Sequence, residues 1–196
     1  MKNRAISGIA LILPFLAGCT TVANETRISS ALRAIEFNDV ASQYMERPTF
    51  VSIQSFSDRN TALKVEMDEY GTGYDPALKI VTPHLKYFDK RFVANYLPLI
   101  DKYLEWDALA TERGDQIERD IGKAQTWGNG AEVTLDFSIY SGSAGSNYLT
   151  IKSCAVGTCG DKHLMLTRTN AIVLRKLLAD FGSGTIGLQN LDGVYK

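Results

Sequence analysis

Apolar and polar residues alternate most regularly in the last third of the chain. Between residues 132 and 139, the apolar positions are all odd-numbered and the polar positions all even-numbered. Shorter runs with a similar period of two cover residues 148–153 and 162–168. This period is typical of β-strands with one face in a core and the other in water. The sequence therefore predicts a three-stranded antiparallel meander over residues 132–168.

The register of this meander follows from two separate constraints. Matching the apolar faces of the first two strands sets the pairing of the first hairpin. A cross-strand disulfide places Cys154 opposite Cys159 in the second hairpin, and the same alignment brings Leu149 opposite Leu164. On the polar face, the combined register predicts two rows of side chains, Asp136–Lys152–Asp161 and Ser138–Thr150–His163.

Elsewhere, many apolar residues recur every three or four positions, which is the helical period. Thr82 and Pro83 form a favourable helix start, whereas Pro98 predicts a kink or a break. Thr169 or Asn170 can cap the last helix. We predict helices at residues 25–45, 85–106, 107–121 and 170–181, and further strands at 49–56, 61–68 and 78–81. The expected fold class is α+β, a single domain with helices packed on one face of an antiparallel sheet.

The N-terminal stretch is apolar but too short to cross a bilayer. Lys2 and Arg4 precede an uncharged run at residues 5–16, whereas a membrane-spanning helix needs about 20 apolar residues. The run ends in the sequence Leu-Ala-Gly-Cys at residues 16–19. This segment resembles the lipobox of bacterial lipoproteins, and the resemblance covers only the leader.

The resemblance to lipoproteins implies how the chain is processed and where it resides. It implies cleavage after Gly18 and a diacylglycerol on Cys19, so that two or three acyl chains, palmitate among them, anchor the protein in a membrane. Thr20 after the cysteine resembles the sorting pattern for the outer membrane, facing the periplasm, with display on the cell surface as the alternative. The expected organisation is a leader at 1–18, a lipidated tether at 19–24, a domain at 25–184 and a weakly ordered tail at 185–196.

Composition narrows the classes of partner. Without Lys2 and Arg4, which leave with the leader, 19 basic side chains remain against 22 acidic ones, so the formal net charge is −3. This balance does not fit a nucleic-acid binder. Cys154 and Cys159 are predicted to form a disulfide in the oxidising periplasm, with a zinc site or free thiols as the alternatives.

Candidate chemistry is sparse. Ser138 and His163 fall in one predicted row, but on strands two apart they lie roughly 9–10 Å from each other, too far for a nucleophile and its base. No metal-ligand spacing or cofactor motif is found in the sequence, so no cofactor or metal is expected. Tyr70 and Tyr74, in a loop with two glycines, are candidates for an interaction site.

These observations favour a noncatalytic lipoprotein that binds a protein or cell-wall partner, or assists assembly, in the cell envelope. One alternative is a carrier or sensor of an apolar ligand, held between the helix at residues 85–106 and the sheet. The other alternative is a hydrolase whose site the sequence does not reveal.

Overall fold

The computed structural model describes residues 20–68, 74–75, 80–81, 84–128, 132–143 and 145–189. Within these residues the chain forms two α-helices, α1 (Val93–Arg113) and α2 (Arg168–Ser183), and a short 3₁₀ turn at Lys90–Phe92. The strands of the described part are β1 (Val22–Ile28), β2 (Ala34–Asn38), β3 (Gln43–Arg47), β4 (Thr49–Phe56), β5 (Thr61–Met67), β6 (Tyr74–Asp75), β7 (Ile80–Val81), β8 (His84–Asp89), β9 (Glu118–Thr126), β10 (Val133–Ser143), β11 (Ser146–Ala155) and β12 (Thr158–Leu166).

All the strand pairs are antiparallel, and the larger ones form two sheets. The four-stranded sheet has the order β1-β4-β5-β8, and the six-stranded sheet has the order β3-β2-β12-β11-β10-β9. The pair β6–β7 forms a separate ribbon. The predicted α+β class with antiparallel strands is therefore confirmed, and sheet dominates it.

The four-stranded sheet contains segments in which apolar and polar residues alternate along the sequence. The predicted strands at residues 49–56 and 61–68 correspond to β4 and β5, and Ile53 lies opposite Leu63 on the buried face. On the other face, Lys64 Nζ lies 2.9 Å from Glu25 Oε1, and Ser52 Oγ donates to the same oxygen at 2.6 Å. Although burial by itself raises the pKa of Glu25, these hydrogen bonds outweigh it and lower the pKa to about 2.

The predicted meander is confirmed as β10–β11–β12, and its first hairpin has the predicted register. Phe137 lies opposite Ile151, and Asp136 lies opposite Lys152. Cys154 also lies opposite Cys159, and their sulfurs are bonded at 2.05 Å. The disulfide predicted from the sequence is present.

The remainder of the second hairpin differs from the predicted register. An irregularity between Lys152 and Cys154 moves β12 by two residues, so that Leu149 lies opposite Leu166 instead of Leu164. Lys152 consequently lies opposite His163, not opposite Asp161 as predicted. Because the side-chain period of a strand is two, a shift of two residues keeps every side chain on its predicted face.

Both helices pack against the inner face of the six-stranded sheet. α1 contacts β9, β10 and β11, and α2 contacts β11, β12 and α1. The core is continuous with the four-stranded sheet, whose buried side chains belong to the same cluster. The structure therefore has two sheets and two helices around one core, in place of helices covering a single sheet. Neither helix of the described residues is long and apolar enough to cross a membrane.

The helix ends follow ordinary capping chemistry. Thr167, one turn before the predicted caps Thr169 and Asn170, accepts a hydrogen bond from the Asn170 amide and begins α2. Gly114 ends α1 with a φ of 69°, a left-handed conformation that suits glycine. Pro98 lies inside α1 without dividing it, so of the two predicted outcomes, a kink or a break, the break is wrong.

Several helix predictions in the first two thirds of the chain are wrong. The segment at 25–45 forms β1, β2 and β3, and β1 already begins at Val22, within the predicted tether. The predicted helix at 85–106 begins as β8, and the helix itself starts only at Val93. The predicted helix at 107–121 contains the end of α1 and the beginning of β9. In each case pairing with a neighbouring strand overrides a local pattern compatible with a helix.

Candidate functional site

The hairpin β2–β3 arches over the outer face of the six-stranded sheet, the face that turns away from α1 and α2. It joins the sheet through a single recorded pair, Ile35 opposite Met165. In a flat sheet, β3 would lie three strand spacings from β11, roughly 14 Å away. The ring of Tyr44 on β3 nevertheless lies 4.8 Å, centroid to centroid, from the ring of Tyr148 on β11. The sheet must therefore curl so that this hairpin covers part of its outer face.

Gly142, at the end of β10, allows this close approach. A Cβ atom at this position would lie 2.9 Å from Cε2 of Tyr148 and 3.2 Å from Cε2 of Tyr44. Both distances are shorter than comfortable carbon–carbon contacts, which are about 3.5–4.0 Å. Glycine is thus required where the two tyrosine rings meet.

The arch and the sheet enclose a cavity of about 380 Å³, which we call the outer-face cavity. Its volume lies in the range of roughly 300–1,000 Å³ that is usual for small-molecule sites. Tyr44 and Tyr140 form its wall, and Glu118, Arg119 and Asp120 form its rim. Its floor is formed by residues of the meander, Ser138, Thr150, Lys152, His163 and Met165.

Thr150, at the centre of the floor, has an unsatisfied hydroxyl group. It lies between Ser138 on β10 and Met165 on β12. The side chain is buried, with 4% of its surface exposed, and its Oγ1 atom has no hydrogen-bond partner among the described residues. A buried polar atom without a partner is uncommon in proteins and costs free energy. The residue lines the outer-face cavity, so a ligand bound there would lie close to this hydroxyl group.

Lys152 supplies the positive charge of the floor. The opposite residue on β10, Asp136, is paired with Lys123 at 2.5 Å, and within the described residues no ion pair is recorded for Lys152. The predicted row Asp136–Lys152–Asp161 is therefore not a charge ladder. The half-buried ammonium group of Lys152 lines the cavity instead.

Two side chains that line the cavity, His163 and Tyr44, have pKa values shifted in the direction that favours their neutral forms. Burial, together with the positive charges of Lys152 and Lys86, lowers the pKa of His163 below its ordinary value of 6.5, against a smaller opposing effect of Asp161. Burial and the neighbouring hydroxyl of Tyr140 raise the pKa of Tyr44 to about 12. The Tyr44 phenol therefore keeps its proton and can donate a hydrogen bond.

The acidic groups of the cavity lie at its rim, on β9. Glu118, Arg119 and Asp120 are all exposed, and no ion pair is recorded for any of them in the described ranges. The cavity is therefore polarised, with carboxylates at its solvent edge and the ammonium group of Lys152 on its floor. Exposed carboxylates are well solvated and exert a weaker field than a half-buried charge.

The Ser138 and His163 pair, considered from the sequence, does line one cavity. The shift in register places His163 opposite Lys152, one row away from the row of Ser138 and Thr150. Two strand spacings and this offset separate the two side chains by more than the roughly 3 Å that proton transfer requires. These two residues consequently do not form a nucleophile and base in this geometry.

A second polar cluster surrounds the disulfide. Ligand atoms of Asp136, Cys154 and Cys159 lie within 4.8 Å of one another. Both sulfurs are already bonded to each other, so the cluster offers one carboxylate and no thiolate to a metal ion. In this oxidised form it is not a zinc site.

The remaining sequence candidates lie elsewhere. Cys19 and Tyr70 are outside the described residues, as is the tail from residue 190. Tyr74 belongs to β6, but its side chain is not among those described. The apolar-ligand alternative would use aromatic side chains of α1; Tyr96 and Tyr103 are fully buried there and donate hydrogen bonds to backbone carbonyls, as core residues do.

Sequence reasoning missed the residues that build the wall of the cavity. Tyr140 lies opposite Tyr148 on the polar face of the meander, and the alternation of residues does not show that this face lines a cavity. Tyr44 was missed because its segment was predicted to be helical. No local signal shows that a residue on β3 reaches β11, since this contact depends on the curl of the whole sheet.

No protein-family model matches the chain, and no curated protein matches it. The function must therefore be argued from the geometry of the outer-face cavity and from the resemblance of residues 16–19 to a lipobox.

Proposed function

We propose that this chain is a lipid-anchored lipoprotein of the outer membrane, facing the periplasm, whose domain binds a small polar ligand in the outer-face cavity. In this proposal the domain is a noncatalytic binding accessory of the cell envelope. It holds its ligand, or part of a cell-wall partner, near the membrane without changing it chemically.

The unsatisfied hydroxyl of Thr150 carries the binding proposal. It is buried on the floor of the cavity, two residues from the ammonium group of Lys152 on the same face of β11. A ligand that entered would provide partners for both groups and would remove the cost of leaving them unpaired. Hydroxyl groups and aromatic rings in the wall add further contacts of the kind found in small-molecule sites.

Two features support the proposed location. The leader ends in the lipobox-like sequence that places a lipid on Cys19, and β1 begins only three residues later, at Val22. A domain attached so directly would remain close to the membrane surface. The disulfide between Cys154 and Cys159 fits an oxidising compartment such as the periplasm.

Substitution of the proposed lipidated cysteine tests the location. A Cys19→Ser variant, expressed in a Gram-negative host, should lose incorporation of labelled palmitate and its retention in outer-membrane fractions. A Cys154→Ser variant is the matched control, because it removes a cysteine without touching the leader. Unchanged acyl labelling of Cys19→Ser would contradict the proposal.

Binding is tested on the full-length lipoprotein in detergent. A panel of polar small molecules from the cell envelope should include compounds that raise its thermal midpoint and that are recovered unchanged by mass spectrometry. Thr150→Val should abolish these shifts, whereas Thr158→Val, an exposed threonine of the same meander, should preserve them. Shifts that persist in Thr150→Val would place binding elsewhere, and chemical conversion of a bound compound would indicate an enzyme.

A further inference from the structure

The chemistry of the outer-face cavity selects among polar ligands, and the inference below rests on the proposed binding function. We infer that the cavity takes a sugar acid, a small molecule with a single carboxylate and several hydroxyl groups. The carboxylate would contact Lys152, and a hydroxyl group would contact Thr150.

The charge on the floor favours an anionic group. Lys152 is half-buried, and its cross-strand neighbour Asp136 is engaged by Lys123 on the other side. A ligand carboxylate placed beside the ammonium group of Lys152 would form a charge-assisted hydrogen bond with it. Among the described residues that line the cavity, the two carboxylates, Glu118 and Asp120, lie at the exposed rim and not on the floor.

The spacing of the floor groups favours hydroxyl groups beside the carboxylate. Side chains two residues apart on one face of a strand are separated by roughly 6.6–6.8 Å, so Thr150 and Lys152 can contact opposite ends of a single six-membered ring. Ser138, directly opposite Thr150, adds a second hydroxyl. The rings and phenol groups of Tyr44 and Tyr140 in the wall can contact a sugar ring by its face and by its hydroxyls.

The balance of charges favours one negative charge over several. The lining contains two carboxylates and two cationic side chains, Arg119 and Lys152, with His163 neutral near pH 7. A monoanion gains the attraction of Lys152, while each additional negative charge meets the carboxylates of Glu118 and Asp120 without a further cation on the floor. Phosphorylated ligands are therefore disfavoured.

The probes for the test are sodium glucuronate, glucose and glucosamine, which share a pyranose ring and differ in charge. Titration calorimetry on the full-length lipoprotein in detergent should show glucuronate binding about tenfold more tightly than glucose. This factor is the gain expected when a neutral hydrogen bond is replaced by a charge-assisted one. Glucosamine should bind no more tightly than glucose.

Two variants test whether Lys152 causes the preference for glucuronate over glucose. Lys152→Gln should reduce the affinity for glucuronate to that for glucose, whereas Lys176→Gln, which removes an equal charge from the exposed face of α2, should leave the preference intact. The ring signals of His163, one of only two histidines, provide a readout independent of folding. Its pKa should rise when glucuronate binds and stay unchanged with glucose, because only the carboxylate offsets the charge of Lys152.

The possible results distinguish a failure of the sugar-acid inference from a failure of the proposed binding function. Equal affinities for glucuronate and glucose, or tightest binding of glucosamine, would overturn the sugar-acid inference while supporting binding in the cavity. Absence of binding by all three sugars would also overturn it, and the proposed function would then depend on the broader panel. Loss of the preference in Lys176→Gln would show that net charge, not Lys152, causes it.

Discussion

Replacing Thr150 by valine should stabilise the unliganded protein, which is unusual for a change at a binding site. The two side chains have nearly the same shape, and valine has a high preference for strands. The substitution removes a buried hydroxyl whose lack of a partner costs about 1–3 kcal/mol in measured series. We expect the free energy of unfolding to rise by about 1–2 kcal/mol, which corresponds to roughly 2–8 °C in thermal midpoint for a domain of this size.

The same substitution at Thr49 is the matched control. Thr49 is a buried strand threonine whose Oγ1 accepts from the Ala34 amide at 2.8 Å and donates to the Arg47 carbonyl at 2.9 Å. Thr49→Val should therefore lower the free energy of unfolding by about 1–3 kcal/mol. Urea unfolding followed by circular dichroism measures both variants. A loss of stability in Thr150→Val comparable to that in Thr49→Val would refute the argument that the Thr150 hydroxyl is unsatisfied.

Three further predictions concern other parts of the structure. Replacing Cys154 and Cys159 together by serine should lower the free energy of unfolding, measured by urea unfolding, by about 2 kcal/mol. The reason is that the disulfide closes a short loop and so reduces the conformational entropy of the unfolded chain. The pKa of Glu25 falls from its ordinary value of 4.5 to about 2 in the folded protein. The ionised carboxylate therefore contributes its full stabilisation above pH 4.5, and this stabilisation is lost as the pH falls towards 2. Glu25→Gln should flatten this part of a profile of unfolding free energy against pH. Gly142→Ala should displace the ring of Tyr44 or Tyr148, lower the free energy of unfolding by roughly 1–3 kcal/mol and weaken binding in the cavity. Gly160→Ala is the control and should have none of these effects, because a Cβ there meets nothing closer than 3.7 Å.

The meander could be predicted because its information is local. Hairpin strands are neighbours in the sequence, so the alternation of Phe137 and Ile151 with polar residues and the pairing of Cys154 with Cys159 constrain one another directly. The prediction erred where β12 contains two more residues than a regular ladder allows. The alternation of apolar and polar residues does not reveal such an irregularity, because a shift of two residues leaves every side chain on the same face.

The segment that builds the wall of the cavity could not be predicted in the same way. Leu32 and Ile35 have helical spacing with Ile28, but in the structure Ile35 is buried on β2 and Leu32 is buried in the loop between β1 and β2. Their partners lie far away along the chain, β4 for β1 and β12 for β2. Pairing with a distant strand supplies hydrogen bonds and burial that a local pattern cannot report.

By itself, the sequence determined the antiparallel meander, the disulfide and the faces on which the side chains of the meander lie. These properties depend on the period of the apolar residues and on the spacing of the cysteines, which can both be recognised from residues close together in the sequence. Only the tertiary structure decided that the sheet curls and that Tyr44 reaches Tyr148. It also decided that Thr150 Oγ1 has no hydrogen-bond partner among the described residues and that it shares one cavity with Lys152. The physical reason is that burial and unsatisfied hydrogen bonds belong to the packed molecule, because they depend on which distant segments come to lie beside each other.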